Sequence, residues 1–141
     1  MTTSRQKPNR FFLAIAGVLS GAAFASILAL IGFLYAWNRA APKMPAGDAI
    51  YAYSDHGDIT YFNAAQSTAS HLFLPLGACF VASVIIALGA YGEDAFRSRP
   101  RLPTGDIRFQ FLGAAIAATV IGFFGHDILA ALIATPFGPV K

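Results

Sequence analysis

Three long apolar stretches, residues 11–37, 72–91 and 109–136, dominate this chain. The first two contain no charged residue, and the third contains only Asp127, close to its far end. An α-helix needs about 20 apolar residues to cross the hydrocarbon core of a bilayer. The reading is an all-α integral membrane protein with three transmembrane helices. Only 12% of the 141 residues are charged and 56% are hydrophobic. Soluble domains carry about 25% charged residues, so the deficit is what lipid-facing surface requires. No stretch outside the spans is long enough to bury a core of its own. A single membrane domain over residues 1–141 is therefore expected: span one at 11–37, an outer loop at 38–63, span two at 64–91, a basic loop at 92–106 and span three at 107–135.

Charge placement orients the spans. The N-terminus carries Arg5, Lys7 and Arg10, and the loop after span two carries Arg97, Arg99 and Arg101, with Arg108 at its end; together these make seven of the ten Lys and Arg residues. The positive-inside rule puts that side in the cytoplasm, giving N-terminus in and C-terminus out. Phe11, Phe12, Tyr35, Trp37 and Tyr91 lie at the span ends, where amphipathic rings favour the interface. Span one is preceded by basic residues, as in a signal peptide, but its apolar run exceeds the usual h-region of about 7–15 residues. It reads as an uncleaved span. The charge asymmetry fits a bacterial cytoplasmic (inner) membrane. Arg97, Arg99 and Arg101 are candidates for lipid-headgroup contact, at about 1 kcal/mol per basic residue near an anionic surface; setting topology is their simpler role.

Small residues recur along the helices. Gly17, Gly21, Ala25 and Ala29 form a ridge with one member every four positions in span one. Span three carries Gly113 and Ala117 on one line and Ala114, Ala118 and Gly122 on another. Small side chains let helix backbones approach closely in lipid, where no hydrophobic force drives helices together. Span two has Pro75 one turn inside its apolar run, which predicts a kink. Its only cysteine, Cys79, reads as a small packing residue.

The outer loop alone has a strand signal. Residues 49–53 and 58–62 are rich in aromatic and β-branched side chains, and Ser54-Asp55-His56-Gly57 between them is a turn sequence. A short extracytoplasmic β-hairpin between helices one and two is predicted, leaning on helix ends or a partner because a lone hairpin is marginal in water. Asn63 and Gln66 match a capping box that starts the next helix, and Thr104-Gly105-Asp106 supplies an N-cap for the third.

All three histidines fall on the predicted outer side. His71 opens the intramembrane part of helix two, and His126 with Asp127 lies near the outer end of helix three. Antiparallel helices can bring His71 and His126 to similar depth, where paired imidazoles could ligate haem or a metal, or hydrogen-bond a quinone, with Asp127 orienting one of them. Against this, polar residues at the interface reach water and headgroups without a ligand. No HExxH, CxxC or CxxCH spacing occurs. No span centre carries a charge, as a proton or ion relay would need. No catalytic residue, bound metal or nucleic-acid partner is expected. The functional expectation is a non-catalytic accessory or structural subunit of a larger membrane complex, or a homo-oligomer, whose partners are the lipid bilayer and other membrane-protein subunits or copies of itself. The alternatives are a haem-, metal- or quinone-binding subunit using the outer histidines, and an oligomeric channel or transporter component.

Overall fold

The structure, a computed structural model, describes residues 9–91, 104–136 and 138–139. Arg97, Arg99 and Arg101, with Arg5, Lys7 and Lys141, lie outside the described residues. The described chain is mostly helical: α1 (Arg10–Ala40), α2 (Ala64–Ser70), α3 (Phe73–Tyr91) and α4 (Ile107–Ile133), with β1 (Tyr51–Asp55) and β2 (Asp58–Phe62) forming a two-stranded antiparallel sheet. Three segments, Arg10–Ala40, Ala64–Tyr91 and Ile107–Ile133, are helical, long and apolar enough to cross a membrane. The chain divides into two compact units, Met1–Ala25 with Leu76–Ala118, and Ser26–Pro75 with Thr119–Lys141.

In the first unit, Asn9 caps α1: its side-chain Oδ1 accepts from the Phe11 N–H at 3.1 Å. The Asn9 N–H in turn donates to Ala90 O at the end of α3, 3.2 Å away. The core here is small: Leu13 and Ala16 of α1 meet Ala87 and Ala90 of α3, with Ile86 and Tyr91 against them. The start of α4 lies directly on the α1 backbone. A Cβ added at Gly17 would stand 2.7 Å from both Asp106 O and Phe109 Cβ; one added at Gly21 would overlap the Gln110 carbonyl, and one at Gly113 the Val18 carbonyl. Gly105 has φ +93, and its missing Cβ is what lets it lie against Gly17 Cα. Asp106 caps α4, accepting the Arg108 N–H at 2.9 Å.

Polar atoms lock this approach. Ser20 Oγ stands 2.8 Å from Thr104 O and 3.0 Å from Gly17 O, so its single proton serves one acceptor at a time. Gln110 Nε2 donates to Thr104 O at 3.0 Å and to Thr104 Oγ1 at 2.7 Å. Of the small residues read as a packing ridge, Gly17 and Gly21 are buried, Ala25 and Ala29 half-buried. On α4 the buried line is Gly113 and Ala117; Ala114 is half-buried, while Ala118 and Gly122 are exposed. On α3, Ser83, Ala87 and Ala90 are buried and Cys79 is exposed.

In the second unit, the helix running from Ala64 breaks at His71 and Leu72. The break falls at the position four residues before Pro75, whose ring clashes with that carbonyl and which has no N–H to offer it. The predicted capping box is present: Asn63 Oδ1 accepts the Gln66 N–H at 2.9 Å and Gln66 Oε1 accepts the Asn63 N–H at 3.1 Å. β1 begins two residues later than the sequence pattern indicates and continues through Asp55, which pairs with Asp58. The reason is the turn: His56 (φ 50) and Gly57 (φ 94) alone fill it, the two-residue, positive-φ geometry that matches strand twist. Ala49 instead bridges back to Ala46. At the other end of the unit, α4 runs through Gly125 unbroken to Ile133.

Gly21→Leu and Gly113→Leu are each expected to destabilise the detergent-solubilised protein by about 1–3 kcal/mol through overpacking. Gly122→Ala, whose new Cβ meets nothing within 4 Å, should be neutral or stabilising by up to about 1 kcal/mol. Thermal unfolding midpoints of the three variants check this ordering, and equal losses would contradict it.

Candidate functional site

Asn38, near the end of α1, positions the hairpin. Its Nδ2 donates to Asp55 Oδ2 at 3.0 Å, and its Oδ1 accepts from Thr60 Oγ1 at 2.8 Å, so one amide ties β1 and β2 to the helix. Thr60 and Phe62 are fully buried. Tyr53 stacks on Phe62 with ring centroids 4.5 Å apart and planes 14° apart, a diagonal pair across the sheet. The outer edge of β2 is covered by the chain's own connector, because the Tyr61 N–H donates to Pro42 O at 3.0 Å. β1, Phe62 of β2 and the helix α2 line an open cleft of about 320 Å³. Its lining includes Tyr51, Tyr53, Phe62, Ser67, Ser70 and His71.

The charges near the cleft cluster at the turn. Asp55 lies 3.6 Å from His56 Nε2, and Asp58 lies 4.0 Å from Lys43 Nζ. Lys43, His56 and Asp58 are open to solvent and Asp55 is half-exposed, and such surface pairs add little. The Tyr53 phenol is pushed above the ordinary value of 10.0, first by burial and then by the charge of Asp55. A raised phenol pKa means the fold holds the neutral form more tightly than the unfolded chain does. The stabilisation is present below pH 10 and is lost as pH rises through the folded value.

Of the residues singled out from the sequence, His71 joins this cleft. His126 and Asp127 are exposed neighbours on α4, with Nδ1 and Oδ1 3.8 Å apart. No hydrogen bond or ion pair among the described residues joins them to His71. Among the described residues, no three His, Cys, Asp or Glu side chains gather as a metal ion would need. Ser67, Ser70, Tyr51 and Tyr53 were not singled out; the Ser67 and Ser70 spacing of three on a capped helix was the signal that could have found them. Asn38 carries no signal, since its role depends on where the hairpin folds back. In the first unit a second cavity, about 390 Å³, is lined by Phe24, Phe80 and Phe111 with Ser20, Thr104 and Gln110. Its polar atoms are engaged in the Thr104 network described above. No family model, curated protein or solved structure matches this chain.

Asn38→Leu removes both hairpin ties and leaves the buried Thr60 hydroxyl without its acceptor, at about 1–3 kcal/mol. Amide exchange across residues 51–62 should accelerate accordingly, and unchanged exchange would refute the tie. Raising the pH above 10 should loosen the wild-type hairpin more than that of Tyr53→Phe, read by the same exchange.

Proposed function

We propose that this chain is a non-catalytic integral membrane protein that crosses the bilayer three times. The N-terminus and basic loop face the cytoplasm, the hairpin and C-terminus lie outside, and the host is a bacterial cytoplasmic membrane. Its role is that of an accessory or structural subunit of a larger membrane complex, or of a homo-oligomer.

The observation that carries this reading is an inverted distribution of side chains. Apart from Leu13, Leu30 and Leu34 on α1, the buried positions on the three long helices are small, Ala16, Ala23, Ser83, Ala87 and Ala117 among them, while Phe24, Leu28, Phe33, Ile85, Phe111 and Phe123 are exposed. A water-soluble fold buries its Phe, Leu and Ile, and an exposed apolar surface of this extent needs lipid or partners. The most apolar window of α4 is only 6% buried. The exposed Ala118 and Gly122 leave a small-residue face free for another helix.

Native mass spectrometry of the tagged protein, gently extracted from its own membrane, tests the role. A discrete assembly, with other subunits or with copies of itself, is expected; a lone monomer that captures nothing would refute it. Reporter fusions at Lys141 and within residues 97–101 test the orientation: cytoplasmic activity is expected only at 97–101, and activity at Lys141 would refute the three-span topology.

The second reading is a haem-, metal- or quinone-binding subunit using the outer histidines; His71 stands in the cleft without a second His, Cys, Asp or Glu beside it among the described residues, which supports the quinone form alone. Purified protein would then yield extractable quinone, lost in His71→Ala.

A further inference from the structure

Five polar side chains are buried among the described residues: Ser20, Thr60, Ser67, Thr68 and Ser83. Four of them bond within the chain. Ser20 Oγ meets Thr104 O, Thr60 donates to Asn38, Thr68 donates to Ala64 O at 2.8 Å, and Ser83 donates to Phe80 O at 2.6 Å. The hydroxyl of Ser67, a residue only 7% exposed, has no partner among the described residues. A buried polar group without a partner is rare enough to need a reason. No fully enclosed side-chain oxygen or nitrogen among the described residues goes unpaired, so the Ser67 oxygen opens into the cleft that it lines.

Other uncommitted groups converge on the same space. Ser70 and His71 follow Ser67 by three and four positions, so the three share one side of α2 and its C-terminal cap. Tyr51 and Tyr53 alternate along β1, and Phe62 stands opposite Tyr51 on the same sheet face. Neither phenol hydroxyl nor the His71 imidazole hydrogen-bonds to a described residue. The Ser70 hydroxyl donates to Ser67 O at 2.7 Å and can still accept.

This lining selects a ligand chemistry. It contains no Asp, Glu, Lys or Arg, the groups that hold charged ligands through charge-assisted hydrogen bonds. A hydroxyl both donates and accepts, so the set is matched by a ligand whose own groups do both. A quinone oxygen only accepts, and its tail needs apolar walls, whereas Ala52 and Phe62 alone among the eight lining residues lack a polar side-chain group. The stacked Tyr53 and Phe62 rings supply one flat apolar wall. The volume, about 320 Å³, is at the low end of the roughly 300–1,000 Å³ of ligand pockets: room for one ring.

We propose that this cleft binds an uncharged, hydroxyl-rich ring the size of one sugar unit, its C–H face against the Tyr53–Phe62 wall and its hydroxyls shared with Ser67, Tyr51 and His71. A free saccharide and the headgroup of a glycolipid present this same chemistry. The inference goes beyond the accessory-subunit reading and does not depend on it.

The test uses the full-length chain in phosphatidylcholine nanodiscs prepared without sugar detergents, followed by residue-resolved amide chemical shifts. The probes are methyl glucoside, methyl galactoside and methyl mannoside in solution, and nanodiscs doped with monoglucosyl diacylglycerol. Saturable shifts confined to residues 51–54 and 67–71 are expected with at least one probe. A response to the soluble glycosides only identifies a free saccharide; a response to the doped discs that blocks the glycosides identifies a lipid headgroup. Ser67→Ala should weaken binding about three- to tenfold, the loss of one hydrogen bond, and Tyr51→Phe should weaken it while keeping the ring. Protection of the Thr60 amide verifies that each variant is folded. No saturable shift with any of the four probes, or binding indifferent to both substitutions, would overturn the proposal. So would shifts at the same amides produced by a short-chain quinone and by none of the sugars, a result that would instead establish the quinone form of the second reading.

Discussion

Where Gly17 and Gly21 lie against Asp106 and Gln110, two main chains touch with no side chain between them. The first compact unit depends on that contact. It places the non-helical backbone at Thr104 within reach of Ser20 and Gln110, and it lets Asp106 donate to Leu13 O at 3.3 Å. Each element requires the other. Without the glycines the carbonyl of Thr104 could not approach, and without the hydrogen bonds a bare polar backbone would stand against apolar helices, at several kcal/mol per unsatisfied group in a lipid setting. In the bilayer proposed for this chain, dispersion at close range and a few such hydrogen bonds, about 0.6 kcal/mol each on average, would do what burial of large side chains does in water.

The hairpin follows a different rule. There Phe62 is fully buried and stacked on Tyr53, and the polar groups that enter with it, Thr60 and Asn38, satisfy one another. This is the packing of a small sheet too thin to stand alone, anchored to a helix end by one amide. Beside that anchor, the connector covers β2, where the Tyr61 N–H donates to Pro42 O.

Much of the secondary structure was legible in local chemistry. Three apolar runs, the Asn63–Gln66 box, the Asp106 cap and the His56-Gly57 turn each depend on residues within a few positions of one another, and each forms. Where local reading drifted, the cause was equally local. β1 starts later because the turn shrank to two residues; the kink predicted from Pro75 forms at His71, because proline acts on the carbonyl four residues before it.

By itself, the sequence determined that three helices of membrane-spanning length exist and that a hairpin joins the first two, because hydropathy, capping and turn preference are properties of neighbouring residues. Which small residues would meet was decided only in three dimensions: Gly113 and Ala117 face inward and Ala118 and Gly122 outward, although both lines have helical spacing. So was the cleft, since Ser67, Ser70 and His71 come against Tyr51 and Tyr53 only when α2 folds back on the sheet. Spacing says that residues share a face; which face is covered depends on contacts between segments far apart in the chain, and no short-range pattern encodes them.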